Sequence, residues 1–306
     1  MSRNLFFAGL IIAATGLLSP ALALVAGLAY GFTFIHPFPL DARRLSRILL
    51  QVSVVGLGFG MNLQEVIRVG RSGFVYTAVS ISFAMLLGWG LGKLLAVKHR
   101  ISFLISAGTA ICGGSAIAAV APITNASEEE IGISLGTVFV LNSIALLAFP
   151  AIGTALHMTQ TQFGLWSALA IHDTSSVVGA SAKFGAVALA VGTTVKLARA
   201  LWIVPISIGT SFAQKSKAKM QLPWFILFFC LAAVANTYVP RLQSFYTALR
   251  HLGIIGLTVT LFLIGTGISA QSIRKVGVRP LVQGIVLWIV VAAGSLALIR
   301  AGWIAL

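Results

Sequence analysis

The chain has 306 residues, of which 58% are hydrophobic and only 9% are charged. A soluble domain carries about 25% charged residues, so this composition excludes a soluble protein and predicts an all-α polytopic membrane protein. The formal net charge of +15 does not indicate a nucleic-acid binder, because the basic residues lie in short loops between apolar runs. There they act as topology signals and as contacts for anionic membrane lipid.

The apolar runs predict one integral membrane domain, residues 1–306, with about eleven transmembrane helices. Each span needs roughly 20 helical residues to cross the hydrocarbon core. The segments are 5–19, 21–35, 46–63, 73–95, 101–122, 131–153, 163–182, 186–212, 222–239, 248–270 and 279–304. The first two are short and divided by Pro20, so ten spans is an alternative. The first also resembles a signal peptide, and cleavage after it stays an alternative to a short first helix.

The basic residues also predict the orientation of the chain. Thirteen of the 21 Lys and Arg residues fall on the side of the amino terminus. They are Arg3, Arg43, Arg44, Arg47, Lys93, Lys98, Arg100, Lys215, Lys217, Lys219, Arg274, Lys275 and Arg279. Because cytoplasmic loops are enriched in Lys and Arg, we expect a cytoplasmic amino terminus.

Two pairs of segments resemble each other and predict internal repeats. Residues 57–73 resemble 263–280, within the repeat-related segments 46–95 and 248–304. These copies would face opposite ways through the membrane, as the inverted repeats of transporters do. Residues 106–122 resemble 167–183, within 101–153 and 163–212. With eleven spans the second pair runs in one direction, so either one resemblance is chance or one segment is re-entrant.

The first polar interruption is the sequence Ala110-Ile-Cys-Gly-Gly-Ser-Ala116. Two adjacent glycines weaken a helix, and irregular backbone at membrane depth survives only inside protein or along a cavity. A helix that restarts near Ser115 would direct its free N–H groups at an anion, with Thr109, Cys112, Gly113 and Gly114 beside it. Close helix packing through small residues is the alternative.

The second interruption is the polar run His172-Asp-Thr-Ser-Ser176. It predicts either an unwound helix centre or the tip of a re-entrant turn, with Asp173 capping the helix that restarts. His172 and Asp173 could carry a coupling proton, with Thr174 and Ser175 extending the polar lining. A loop at the membrane surface is the alternative.

Lys196 and Arg199 are three residues apart within an apolar span and so project from one helix face. Such cations are costly in a membrane and would attract a carboxylate or a small oxyanion. Alternatively they form a charge pair with Asp173 or bind a backbone carbonyl at a helix break. An ion pair between Asp173 and a cation that forms at rest and breaks when substrate binds would be a coupling device for transport.

Lone polar residues in other spans, Gln51, Asn62, Asn142 and Thr266, are explained by hydrogen bonds between helices. The two cysteines, Cys112 and Cys230, offer neither a disulfide framework nor the spacing of a metal site. The sequence predicts no metal and no cofactor.

Three segments resemble the YeiH-type sulfate exporter family: 106–122, which contains Ile-Cys-Gly-Gly-Ser-Ala; 168–180, with His-Asp-Thr-Ser-Ser; and 191–208, with Val-Lys-Leu-Ala-Arg. Their order and spacing extend the resemblance over most of the chain. The resemblance implies a multi-pass transporter of inorganic or small organic anions in the bacterial inner membrane. It also implies an architecture similar to bile-acid and sodium/proton transporters, with broken helices crossing at the midplane.

We therefore expect a secondary transporter that exports sulfate or a related sulfur oxyanion by alternating access, coupled to H⁺ or Na⁺. A passive anion channel and a transporter of a small organic acid are the alternatives. An enzyme is disfavoured, because the chain lacks a second carboxylate cluster, a nucleophile with its base and a metal-ligand spacing. Homodimerisation is a mild expectation from the behaviour of similar transporters.

Overall fold

The structure, a computed structural model, describes residues 2–214, 224–267 and 277–305. These residues form an all-α polytopic membrane protein with no β-strand in the described ranges. The helices are α1 Ser2–Ala14, α2 Pro20–Thr33, α3 Pro39–Gly58, α4 Leu63–Leu94, α5 His99–Ala110, α6 Gly114–Val120, α7 Glu128–Ala155, α8 Gln160–Ala170, α9 Thr174–Phe184, α10 Ala186–Ala200, α11 Ile203–Gln214, α12 Trp224–Tyr238, α13 Gln243–Thr266 and α14 Val278–Arg300. Outside the described residues lie the predicted topology signals Lys215, Lys217, Lys219, Arg274 and Lys275, and half of segment 263–280.

Five stretches of the described residues are long and apolar enough to cross a membrane. They are Leu63–Leu94, Glu129–Ala155, Ala186–Gln214, Pro240–Thr266 and Val278–Arg300. Their outward surfaces suit lipid: along α4 the large apolar side chains of Val75, Val79, Phe83 and Leu86 recur every three or four residues and are all at least half exposed. The predicted membrane class is therefore confirmed.

The contacts divide the chain into two compact units. Unit 1 is Met1–Arg68 with Pro223–Ala270, and unit 2 is Val69–Leu222 with Gln271–Leu306. The predicted single membrane domain stays a prediction, and each unit is described on its own.

In unit 1, α3 and α13 pack side by side around two glycines. A Cβ on Gly56 would lie 3.0 Å from the Leu249 carbonyl oxygen and 3.1 Å from the Gly253 Cα, so only glycine permits this approach. The short helices α1 and α2 both pack on α13, and the Tyr30 hydroxyl donates to the Ser2 carbonyl at 3.1 Å. Since this bond joins the start of α1 to the end of α2, the predicted first two spans form a helical hairpin.

In unit 2, the 28-residue helix α7 runs for about 42 Å. It begins with a capping box, in which Ser127 and Glu130 bond each other's backbone N–H groups. A second capping box, between Thr159 and Gln162, begins α8 close after the other end of α7. These caps fix where the chain turns before and after α7.

The helices α5 and α6 fold back on each other as a hairpin, here called the GG hairpin, with its tip at residues 111–113. Ile117 of α6 packs against Gly108 of α5, and Leu104, Ile117 and Val120 share one apolar cluster. The hairpin opens at the start of α7, where Arg100 and Glu130 approach to 4.0 Å.

The helices α8 and α9 form a second hairpin, here called the HD hairpin, with its tip at residues 171–173. The Ser167 and Ser181 hydroxyls are 2.9 Å apart, and the Phe163 and Phe184 rings stack at 3.9 Å. At its open end the Val187 N–H donates to the Gln160 side chain at 2.9 Å. This end follows the far end of α7, so the two hairpins open at opposite ends of that helix.

The two hairpins coincide with the second pair of segments that the sequence predicts to be repeats. Segments 106–122 and 167–183 each hold a helix, a three-residue tip and a returning helix. Neither crosses the membrane as one span, because arms of 7 to 12 residues reach at most about 18 Å. Within unit 2 the two hairpins therefore open in opposite directions, which agrees with the re-entrant alternative that the sequence left open, and the repeats themselves stay predictions.

Candidate functional site

The tips of the two hairpins meet within unit 2. A Cβ on Gly113 would lie 3.1 Å from the Asp173 Cβ and 3.4 Å from its Cα, so the tips are in direct contact. Gly113 also has φ +64° and ψ −124°, a backbone conformation that residues with a side chain rarely adopt. Both the conformation and the close approach require glycine, and α6 begins at the next residue, Gly114.

Asp173 caps the returning helix of the HD hairpin, as the sequence predicts. Its Oδ2 accepts hydrogen bonds from the Ser176 N–H at 3.2 Å and from the Ser175 hydroxyl. The carboxylate thus lies at the positive end of the α9 dipole, where a negative charge is stabilised.

Asn142, in the middle of α7, holds the HD tip from the side. Its Oδ1 accepts a hydrogen bond from the His172 N–H at 3.0 Å. Both residues are buried, and the His172 side chain is fully enclosed. The sequence singled out Asn142 only as a lone polar residue satisfied by a neighbouring helix. Its actual partner is the backbone of the opposite hairpin, which a single position in an apolar run does not reveal.

Arg199 joins the first arms of the two hairpins. Its Nε donates to the Ala110 carbonyl at 2.6 Å and one terminal nitrogen donates to the Thr109 carbonyl at 3.2 Å, both at the end of α5. The other terminal nitrogen donates to the Leu169 carbonyl at 2.6 Å, with Ala168 at 3.4 Å, at the end of α8. One planar guanidinium therefore binds the carbonyl ends of two helices.

Lys196, one turn earlier on α10, binds the HD hairpin alone. Its Nζ donates to the Ile171 carbonyl at 2.6 Å and is 3.4 Å from the Ala168 carbonyl. Lys196 and Arg199 are both fully buried. Since helix carboxyl ends carry partial negative charge and unpaired carbonyls, these cations are well placed to neutralise them.

The charge pair between Asp173 and a cation, one of the alternatives that the sequence left open, does not form within 4.0 Å in the described residues. Among the described residues the one ion pair within 4.0 Å joins Arg100 and Glu130, at the open end of the GG hairpin. The physical reason is that the broken helices offer each charge a backbone partner. The cations bind carbonyl ends, and Asp173 binds an amino end. The alternative that the sequence left open, a cation on backbone carbonyls at a helix break, is the arrangement observed.

Several buried polar atoms around the tips have no hydrogen-bond partner. They are the Thr109 Oγ1, the Asn142 Nδ2, both ring nitrogens of His172 and the Asp173 Oδ1. Leaving such a group unpaired costs about 1–3 kcal/mol. This concentration of unsatisfied donors and acceptors marks the tips as a place where a polar species can bind.

The remaining predicted residues divide into two groups. Cys112, Thr174 and Ser175 are buried in the two tips or in the first turn of α9, beside the atoms just described. Ser115 is exposed and Gly114 packs against the Phe139 ring, so neither is enclosed among them. No group of three or more His, Cys, Asp or Glu side chains that could hold a metal occurs in the described part of the chain.

Comparison with known proteins agrees with the membrane fold. A family model described as conserved hypothetical protein 698 matches residues 6–284. A UPF0324 membrane protein of Bacteroides thetaiotaomicron is 50% identical over 287 residues, covering 92% of this chain and 86% of the relative. A UPF0324 membrane protein of Geobacter sulfurreducens is 47% identical over 303 residues, covering 99% and 98%. No solved structure matches the chain.

Proposed function

The chain belongs to the family described as conserved hypothetical protein 698, and we propose that it is a secondary transporter of a small anion. Sulfate or a related sulfur oxyanion, moved out of the cell, is the first candidate. This follows the resemblance of its hairpin segments to YeiH-type sulfate exporters. The proposal assigns the chain a transported substrate and no chemical reaction.

The observation that carries the proposal is the meeting of two oppositely opening hairpins at their tips. Irregular backbone at membrane depth is tolerated where it is enclosed by protein or lines a path. Each hairpin reaches about halfway along α7, and Gly113 touches Asp173 where they meet. A substrate between the tips would be reached from one end of unit 2 when one tip withdraws and from the other end when its partner does. That is the geometry that alternating access needs.

The charges at the tips favour an anion. The carboxyl ends of α5 and α8 together present about one negative charge, against which Lys196 and Arg199 supply two positive charges. The amino ends of the two returning helices present about one positive charge, which Asp173 balances. The region is left with a net charge of about +1. A bound anion would bring it close to neutrality.

His172 and Asp173 are the candidates for the coupling ion, as a proton or, at Asp173, a sodium ion. Both have unpartnered buried atoms, so each can accept a cation without first breaking a hydrogen bond at that atom. Moving one charge across 100 mV is worth about 2.3 kcal/mol, so coupling one cation to a divalent anion would markedly change the driving force.

A bacterial inner-membrane location with a cytoplasmic amino terminus belongs to the same proposal. Its support is the bias of Lys and Arg toward one side of the predicted spans, and the relatives being bacterial membrane proteins. A homodimer stays a prediction.

Counterflow in proteoliposomes tests the proposal. Vesicles loaded with unlabelled sulfate, sulfite, taurine or malate would be placed in a trace of the same labelled compound, with pH or sodium gradients added in separate arms. We expect saturable accumulation of a small oxyanion, lost in Asp173→Ala and retained in Asp41→Ala, an exposed acid of α3. Movement that follows voltage alone, with no exchange, would instead identify a channel. No movement of any tested anion would reject the proposal.

A further inference from the structure

The unpartnered atoms at the hairpin tips are of two opposite kinds. The Asn142 amide nitrogen is a donor only, whereas the Asp173 Oδ1 of an ionised carboxylate is an acceptor only. The neutral His172 ring adds one of each. A site built for a fully ionised oxyanion would need donors alone.

The local bonds fix which atoms remain free. Asn142 uses its oxygen on the His172 N–H, which holds its amide nitrogen beside the HD tip. Asp173 uses Oδ2 on Ser175 and Ser176 at the start of α9, which leaves Oδ1 as the free oxygen. In the described residues neither Lys196 nor Arg199 forms an ion pair with Asp173 within 4.0 Å, and both cations are bonded to backbone carbonyls instead.

An anion that binds both the Asn142 amide nitrogen and the free Asp173 oxygen must accept a hydrogen bond from the first and donate one to the second. A free, buried carboxylate oxygen repels a fully ionised oxyanion, which has nothing to donate to it. An oxyanion with its own O–H can donate to the carboxylate while its other oxygens accept from the amide. Sites built to bond a substrate hydroxyl reject the analogue that lacks it by about 10⁴–10⁵-fold.

We propose that Asp173 and Asn142 make the tips selective for oxyanions that retain a proton, such as hydrogensulfite, hydrogencarbonate or hydrogenphosphate, over fully ionised sulfate. This rests on the proposed function and narrows its substrate class. Asp173 is then a selectivity residue as well as a helix cap. Lys196 and Arg199 contribute long-range charge and hold the hairpins, without contacting the anion.

Hydrogenphosphate and sulfate are matched probes, because both are tetrahedral dianions at about pH 8 and only the first carries an O–H. The experiment measures the stabilisation of the detergent-purified full chain, and counterflow in proteoliposomes, with each anion at equal concentration and ionic strength. Hydrogencarbonate, which keeps its O–H at this pH, forms a further arm, and hydrogensulfite is compared with sulfate at a lower pH at which it keeps its proton. We expect the proton-bearing anions to bind at least about tenfold more tightly than sulfate.

The variant Asp173→Asn reverses the logic, since its amide can cap α9 through the oxygen and offer N–H groups in place of the free acceptor. We expect it to lose the preference for hydrogenphosphate and to bind sulfate at least as well. Asp41→Asn, the matched exposed acid, should keep the parental ratio. If Asp173→Asn does not fold, the ratio measured on the parent protein still decides the matter.

Two kinds of failure are distinguishable. Sulfate that binds the parent at about pH 8 as tightly as hydrogenphosphate, and is exchanged as fast, would overturn the selectivity while leaving anion transport intact. If neither class of anion stabilises the protein or is exchanged, both the selectivity and the proposed function are rejected.

Discussion

The two hairpins of unit 2 share one architecture and are held in place by different chemistry. The GG tip, Ile-Cys-Gly, turns through backbone freedom, since Gly113 takes a positive φ and presents no side chain to its neighbour. The HD tip, Ile-His-Asp, turns through side chains, with Asp173 capping α9 and Asn142 bonding the His172 N–H. The GG tip is thus shaped by its backbone, whereas the HD tip is shaped by side chains and carries unpartnered polar atoms on His172 and Asp173.

The helices α7 and α10 each form hydrogen bonds with the hairpin that they do not follow in the chain. The long helix α7 follows the GG hairpin in the chain, yet its Asn142 bonds the HD tip. The helix α10 follows the HD hairpin, and its Arg199 reaches the end of α5 in the GG hairpin. Each of these helices therefore bonds the hairpin that it does not follow in the chain, and Arg199 bonds both hairpins. We expect a change at either side chain to affect both hairpins.

Removing Arg199 should have the largest effect, because it is the one side chain bonded to the carbonyl ends of both hairpins in the described residues. Arg199→Ala leaves the Ala110 and Leu169 carbonyls without that donor. Hydrogen bonds from charged groups contribute about 1.5–3 kcal/mol each, so we expect a loss of about 3 kcal/mol or more. Thermal unfolding in detergent measures it.

Lys183→Ala, which removes an exposed lysine at the end of α9, is the control and should leave the unfolding temperature unchanged. Arg199→Lys keeps the charge but not the fork, and should fall between the parent and Arg199→Ala. If Arg199→Ala were as stable as the parent and lost only anion binding, Arg199 would be a ligand for the substrate and not a brace.

Gly113→Ala tests the tip that depends on backbone shape. The alanine would have to keep the positive φ of Gly113, and its methyl group would press against Asp173. Backbone strain of this kind costs about 1–3 kcal/mol. We expect lower thermal stability and slower anion exchange, because the tips are forced apart. Gly132→Ala is the matched control: a Cβ there meets nothing within 4 Å, and alanine is favoured inside α7. Equal behaviour of the two variants would mean that the tips are not in contact.

The sequence located both tips, and the reason is chemical. A helix that stops within an apolar run needs either glycine or a capping side chain, and Gly113-Gly114 and Asp173 are visible as such. It did not show that both segments fold back. Re-entry depends on distant pairs such as Ser167 with Ser181, and small residues on a helix face pack equally well in a straight span.

The partners of the charged residues were also beyond a reading of the sequence alone. Lys196 and Arg199 stood out by their cost in a membrane, and the pattern allowed an anion, Asp173 or backbone carbonyls as partner. Which of these was realised depended on the carbonyl ends at Ala110 and Ile171, three-dimensional neighbours that sequence separation hides. The bond between Asn142 and the His172 N–H was missed for the same reason.

Replacing Asn142 tests the tip that depends on side chains. Asn142→Ala leaves the buried His172 N–H without its acceptor. We expect it to lower the free energy of unfolding by about 1 kcal/mol, the lower end of the range for an unpaired buried group. We expect a modest fall in unfolding temperature but a clear change in anion selectivity. The adjacent Ser143→Ala removes only a bond to its own helix, at Phe139, and should alter neither. A selectivity unchanged in Asn142→Ala would show that its amide is a structural tie alone.

Thr159→Ala should have the smallest effect and separates the open ends of the hairpins from their tips. Thr159 caps α8 at the open end of the HD hairpin, and losing such a cap costs about 1 kcal/mol. Ser127→Ala removes the corresponding cap from α7 beside the open end of the GG hairpin. Both variants should lower thermal stability by a similar small amount and leave the ratio of hydrogenphosphate to sulfate binding at its parental value. A change of that ratio in either would mean that selectivity is set along the whole hairpin, since neither cap touches the residues at which the tips meet.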